Sequence, residues 1–157
     1  MIAWKTPNCI WPTAGDAEGV TELNSFDNAL LAAGIGNLNL VKLSSICPAN
    51  VQILQARPKG IEEGALAPTV YTCMKSDTPG DVVAAAIGIG LRHGKHGVMF
   101  ENVGNDEAVV RNTVRLMVLE GFAQRGYGEP SEIILVSASH IVERIGCALA
   151  AVLLWWI

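Results

Sequence analysis

Two adjacent serines, Ser44 and Ser45, follow the apolar segment in NLNLVKLSSICPAN and stand just before a proline. A peptide bond that precedes a serine is open to attack by that serine's own hydroxyl, through a five-membered ring. The ester so formed can eliminate across the serine Cα–Cβ bond, and the dehydroalanine left behind loses ammonia to become a ketone. Such chemistry needs a strained or polarised carbonyl at Ser44, a hydroxyl at Ser45, and donors for the oxyanion. Asn39, six residues before Ser45, carries an amide of the right kind. The plain alternative is a polar pair at a strand end, and by itself the pair supports only a turn.

Other reactive side chains point to less. His93 and His96 flank Gly-Lys in RHGKHG, but no Cys, Asp or third His stands at a metal-ligand offset, so a solvated loop is expected. GIGLRHG has one residue too many for a dinucleotide fingerprint and lies in a helical pattern rather than after a strand. His140 on an apolar segment reads as a satisfied core histidine. Cys9, Cys47, Cys73 and Cys147 match neither zinc nor thioredoxin-type spacing and read as small buried hydrophobes in a reducing compartment. There is no G-x-S-x-G elbow and no phosphate-binding loop, so hydrolase, nucleotide and metalloenzyme classes lack support.

The elements that must hold these residues can be drawn from pattern. NSFDNALLAAGIG predicts a short helix capped at Asn24 or Ser25, with Asp27 in its first turn and glycine at its end. NLNLVKLSS, NVQILQA and ALAPTVYTCMKS read as strands, and DTPGD as a loop opening a helix. Asp81 would head that helix, the alanine-rich and buried VVAAAIGIGL. HGVMFENVG is a strand ending near Glu101, and Asn105 to Arg125 is the clearest helix, with Glu107 and Arg111 paired on its exposed side. SEIILVSASHIV and CALAAVLLWW close the chain as strands joined by a tight Glu-Arg-Ile-Gly turn. About seven strands with two long helices and a short one predict an α+β fold with helices covering mainly antiparallel sheet.

The bulk numbers bound the class. A chain of 157 residues fits a single domain, 1–157, with a full core. It is 50% hydrophobic and 17% charged, an apolar excess that a subunit interface would absorb. A net charge of −4 leaves no basic footprint for nucleic acid. MIAWKTPNCIW lacks a basic region ahead of an apolar one, so no signal peptide is expected. GCALAAVLLWWI is uncharged but only twelve residues long. A spanning helix needs about twenty, so a buried strand is expected there, with no membrane partner and a cytoplasmic location.

The segment LNSFDNALLAAGIGNLNLVKLSSICPAN resembles the self-processing segment of pyruvoyl-dependent arginine decarboxylases. The resemblance continues through GALAPTVYTCMKSDTPGDVVAAAIGIG, GVMFENVG and ERIGCALAAVLLWW, nearly the whole chain. It implies a four-layer α-β-β-α sandwich assembled as a homotrimer or a dimer of trimers, with active sites between subunits. It implies self-cleavage between Ser44 and Ser45, giving a β chain of residues 1–44 and an α chain of residues 45–157. Ser45 would become a covalently bound pyruvoyl group, with Asn39 assisting the cut and neither metal nor pyridoxal phosphate required.

The same resemblance implies conversion of L-arginine to agmatine and carbon dioxide. The ketone would form a Schiff base with the substrate amine and take up the electrons released with the carboxylate. Glu101 matches the proton donor, and following Val98, Met99 and Phe100 it is expected to be desolvated and held protonated. Asp27 matches the acid that takes the guanidinium in bidentate fashion; a first-turn acid favoured by the helix dipole is the structural alternative. Backbone around Gly36 and Leu38, with Ile46 beside the ketone, would line the pocket. Cys47 stands where a plain apolar residue is expected, close enough to affect the ketone. Two other functions stay open: decarboxylation of another amino acid, and a non-catalytic, unprocessed trimeric homologue.

Overall fold

The computed structural model describes residues 5–157. The expectation of no signal peptide rests in part on residues 1–4, which lie outside them. The first strand, β1 (Cys9–Glu18), leads into helix α1 (Glu22–Ala32), followed by the short strands β2 (Asn39–Lys42), β3 (Ile46–Cys47) and β4 (Gln52–Ile53). Three long strands come next, β5 (Leu66–Ser76), β6 (Val82–Arg92) and β7 (Lys95–Gly104). Helix α2 (Glu107–Arg125) precedes β8 (Glu132–Ile141) and β9 (Gly146–Trp155).

The strands form two sheets. One runs β2-β5-β9-β1-β4, with antiparallel pairs at its centre and parallel pairs at both edges. The other runs β3-β7-β6-β8 and is antiparallel throughout. Helix α1 packs on the five-stranded sheet and α2 on the four-stranded one, while the two sheets face each other. The result is an α+β fold with two mainly antiparallel sheets, compatible with the expected sandwich. Between the sheets sit Ile10, Val70, Ile87, Ile89, Met99, Val152 and Leu154. Each such side chain stabilises by about 1.5–3 kcal/mol when fully buried.

The uncharged C-terminal run is the buried strand β9, paired with β1 over its whole length and with β5 from Gly146 to Leu153. No helix is long and apolar enough to cross a membrane among the described residues. The four cysteines are free; Cys9, Cys47 and Cys147 are buried, and Cys73 is partly so.

Several expectations change. The alanine-rich segment after Asp81 is strand β6, not a helix, which leaves two helices in place of three. Its period is two: Ala85, Ile87 and Ile89 face the other sheet, whereas Ala84 and Ala86 lie with Val110 and Val114 under α2. Gly88 and Gly90 complete that second face. A methyl on either would strike α2, at the Val114 carbonyl (2.9 Å) or Val118 Cγ1 (2.5 Å). Small residues on this face serve close helix packing, and alternation with larger ones outweighs the helix propensity of alanine.

Helix α1 begins a turn earlier than expected. Its cap is Thr21, whose Oγ1 accepts the Asn24 N–H at 3.1 Å and donates to Asn24 Oδ1 at 2.7 Å. Asp27 therefore lies beyond the first turn, and the helix-dipole rationale for it lapses. The predicted NVQILQA strand shortens to Gln52–Ile53, and β7 continues past Glu101 to Gly104. Glu107 does not pair with Arg111 on the exposed side of α2. Its carboxylate accepts from Ser137 (2.6 Å) and Ser139 (2.9 Å) on β8, and Arg111 donates to Ser137 as well. The two serine hydroxyls, with Arg111 behind them, hold Glu107 below the usual carboxylate range despite partial burial.

Candidate active site

The serine pair is one of the places where the chain changes sheets. Strand β2 is an edge of the five-stranded sheet and β3 an edge of the four-stranded one, so Ser44 and Ser45 form a strap between them. The strap is anchored on both sides: the Leu43 N–H donates to the Thr69 carbonyl (3.0 Å), and the Ser45 carbonyl accepts the Met99 N–H (2.8 Å). The Ser44–Ser45 peptide bond itself lies between the two ladders and belongs to neither.

At this bond the chain makes a three-residue turn in which the Ile46 N–H donates to the Ser44 carbonyl at 3.3 Å. That carbonyl is the one a Ser45 hydroxyl would attack, so Ile46 supplies a backbone donor at the developing oxyanion. Ser44 is exposed and Ser45 half-buried. Cys47, two residues on, is fully buried between the sheets, and desolvation pushes its thiol up to about 11. It stays a protonated core residue rather than a thiolate competing for a ketone nearby.

Glu101 lies on the strand that anchors the strap. Ser45 meets β7 at Met99, and Glu101 is two residues further along, about 7 Å by strand rise. Alternation places Glu101 on the same face as Met99, opposite Ile87, where the sheets meet. It is half-buried there. One chain therefore brings Ser44, Ser45, Ile46 and Glu101 into one neighbourhood.

The other expected residues fall elsewhere. Asp27 is exposed on α1, which covers the outer face of the five-stranded sheet. Gly36 lies in the turn that folds back on the end of α1, where a Cβ would meet Leu31 Cδ2 at 2.6 Å. Leu38 is buried under α1, so its backbone alone is open to a ligand. Asn39 starts β2; its N–H donates to the Ala65 carbonyl (2.9 Å) and its Nδ2 to the Gly64 carbonyl (2.7 Å). Between it and Leu43 the strand is extended, a separation of about 13 Å. Among the described residues no hydrogen bond or ion pair joins Asp27 or Asn39 to the strap.

His93 and His96 sit at the β6–β7 hairpin, and His96 is bound through Nε2 to the Tyr127 hydroxyl at 2.6 Å. His140 is satisfied, but by charged partners: Asp16 Oδ2 at Nδ1 (2.7 Å) and Glu18 Oε2 at Nε2 (2.6 Å). Asp16 and Glu18 are both on β1, so this cluster ties the five-stranded sheet to β8 of the other. Sequence reasoning missed this cluster and the Ile46 and Met99 amides of the strap. Backbone donors carry no side-chain signature, but Asp16-x-Glu18 at a strand's same-face spacing was a usable signal for the cluster.

The strap thus carries an adjacent serine pair between two sheets, with a carboxyl on the same inter-sheet face. The chain belongs to the family described as pyruvoyl-dependent arginine decarboxylase, whose sequence model matches residues 9–156. A Pyrococcus furiosus protein named pyruvoyl-dependent arginine decarboxylase is 46% identical, the match covering 98% of this chain and 99% of that one. A Methanocaldococcus jannaschii protein of the same name is 42% identical over 98% of this chain and 93% of the relative.

Proposed function

We propose that the chain cuts itself between Ser44 and Ser45 and that the matured protein decarboxylates L-arginine to agmatine and carbon dioxide. The observation that carries this reading is the strap: a Ser-Ser bond outside both ladders, its carbonyl on the Ile46 amide, with Glu101 along the same strand face. Ser45 supplies the attacking hydroxyl, Ile46 and Asn39 stabilise the oxyanion, and Ser44 leaves as a carboxylate. The products are a β chain of residues 1–44 and an α chain of residues 45–157.

A pyruvoyl group at position 45 supplies an electron sink, in place of pyridoxal phosphate or a metal. The half-buried setting of Ser45 fits such a group, since Cys47 beside it is held protonated and the Met99 amide fixes the Ser45 carbonyl. The chain's own residues do the rest. Glu101 delivers a proton to the substrate Cα once carbon dioxide has left. Asp27 accepts the guanidinium through two parallel N–H···O bonds, which selects a planar cation over lysine or ornithine. Backbone at Gly36 and Leu38, with the exposed Ile46 side chain, borders the pocket.

Since Asp27 and Glu101 lie on different layers of one chain, a complete site draws on more than one copy. A trimer or pair of trimers with sites between subunits meets that need, and such an enzyme would work in the cytoplasm. Intact mass spectrometry tests the cut: two species matching residues 1–44 and 45–157 are expected, the larger one blocked at its N-terminus and trapped by amine plus borohydride. A stable uncut chain overturns it. Carbon dioxide release from arginine, but not from lysine, ornithine or histidine, tests the substrate.

A further inference from the structure

We propose that Cys73 and Cys147 form a two-thiol exchange site that takes small disulfides carrying anionic groups. Cys73 is the attacking sulfur and Cys147 the resolving one. The site lies outside the proposed decarboxylation machinery and does not depend on the cut at Ser44–Ser45.

The strand register brings the two cysteines together. Cys73 of β5 stands opposite Leu149 of β9, and Lys75 stands opposite Cys147, so the cysteines are diagonal neighbours. Both side chains are on the outer face of the five-stranded sheet, in the cluster that α1 covers. The Cys147 thiol donates to the Cys73 sulfur. Cys147 is fully buried, whereas Cys73 is partly open to solvent.

The charge around Cys73 favours an anionic reagent. Tyr71, Cys73 and Lys75 alternate onto one face of β5, and Lys42 reaches the same face from β2. Lys42 Nζ sits 4.9 Å from the Tyr71 ring centroid, and Lys75 Nζ sits 5.9 Å from that of Phe26. The two rings are themselves 6.4 Å apart. Rings orient ammonium groups without neutralising them, and among the described residues neither lysine is in an ion pair. Two unneutralised cations therefore flank a partly open sulfur. The bond from Cys147, with Lys75 and Lys42 behind it, brings the Cys73 thiol below its usual range against the pull of desolvation. The same contact and its own burial hold Cys147 protonated. Cys9 and Cys47 lack this activation, and desolvation raises both.

The exchange balances in two steps. The Cys73 thiolate attacks one sulfur of the reagent, whose S–S bond breaks and releases one thiolate. The Cys147 sulfur then displaces the second half from Cys73, and its proton leaves with that half. The protein loses two electrons and the reagent gains them, as a Cys73–Cys147 bond replaces the original disulfide. Diagonal Cα atoms stand about 7–8 Å apart, wider than the usual disulfide span of about 4.4–6.8 Å. Closing the bond draws β5 and β9 together and leaves it strained, the kind that small thiols reopen.

Two reagents test the site on the full chain: dithiobis(nitrobenzoate), which is anionic, and dithiodipyridine, which is neutral. Released chromophore and intact mass are followed together. In the fast phase both halves of the reagent should be released, leaving no adduct and a chain lighter by two hydrogens, with Cys73 linked to Cys147. Cys9 and Cys47 should react only after unfolding, and a small thiol should restore the starting mass. Cys147→Ser should release one half and keep the other on Cys73. Cys73→Ser, or Cys73→Ala if the serine variant folds poorly, should lose the fast phase. Lys42→Gln combined with Lys75→Gln should slow the anionic reagent relative to the neutral one by about tenfold. The proposal falls if Cys73 reacts no faster than Cys9 and Cys47, or if the wild-type adduct persists without resolving. It falls equally if the lysine changes leave the ratio of the two rates untouched.

Discussion

The two sheets are joined at opposite sides by different means. On one side the Ser44–Ser45 strap crosses covalently from β2 to β3. On the other, beside the β8–β9 turn, His140 of β8 also crosses ionically to Asp16 and Glu18 of β1, at 2.7 and 2.6 Å. The strap is lightly held, with its central bond in no ladder. The clamp is heavily held: Glu18 Oε1 also accepts the Glu143 and Arg144 N–H groups, at 3.0 and 2.6 Å. The bond proposed to break lies in no ladder, while the contact that would have to outlast the proposed cut is reinforced. After a cut at Ser44, strand β1 of the small chain would still lie between β9 and β4 with ten residues paired to β9. The clamp would then join two chains rather than two strands of one.

The contrast is broken most severely at the strap. Ser45→Ala removes both the nucleophile and the source of the ketone. Activity should fall to background, a loss of at least about a thousandfold, while melting is nearly unchanged because no ladder bond is lost. A large drop in melting temperature would show that the strap carries structure after all. Next comes Glu101→Gln, which should cut itself normally yet lower kcat by about a hundredfold to ten-thousandfold. Full decarboxylation in a cleaved Glu101→Gln protein would remove Glu101 from the reaction. Asp27→Asn should lower kcat/KM for arginine by roughly ten- to a hundredfold, the worth of a charged hydrogen-bonded pair, and leave the cut and the clamp intact. A Km effect equal for arginine and a neutral analogue would deny it the guanidinium.

How much of this was legible in the sequence differs between the two sides. The strap was readable because its chemistry lives in side-chain types, Ser44 and Ser45, in a segment with a specific family pattern. Its setting was not, because a crossing between sheets depends on which strands pair, and β2 and β3 look alike in isolation. Asn39 was legible as a candidate donor but not as a distant one: six residues seem near on paper and are far apart in an extended strand. Strand β6 was misread for a related reason. Alanine and glycine signal helix or flexibility locally, whereas here they make room for α2 at Val114 and Val118. The clamp was missed because Asp16, Glu18 and His140 are brought together only when β1 and β8 face each other across the sandwich.

The smallest expected effect is the one that isolates the clamp, and it is read against pH. Desolvation pulls His140 down, but its hydrogen bonds to Asp16 and Glu18 outweigh that and raise it above 6.5. Its contribution is therefore complete below about pH 6.5 and is lost as pH rises through the folded-state value. Desolvation pulls Glu18 up, but the Arg144 amide, His140 and the Glu143 amide together hold it below 4.5. Its contribution is complete above about pH 4.5 and fades as pH falls through the lower folded value. The clamp should be strongest between these limits. His140→Gln should destabilise by about 1–3 kcal/mol there, and the difference from wild type should shrink towards pH 8 and above. Gly146→Ala offers a charge-neutral check. A methyl there would stand 2.5 Å from Glu18 Oε2 and 2.6 Å from His140 Cδ2, prying the pair apart with every ionisable group in place. It should reproduce the His140→Gln pH profile in thermal melts of the cleaved protein. If instead its melting point falls equally at every pH, the clamp contributes packing rather than charge, and the contrast between the two crossings would rest on hydrogen-bond count alone.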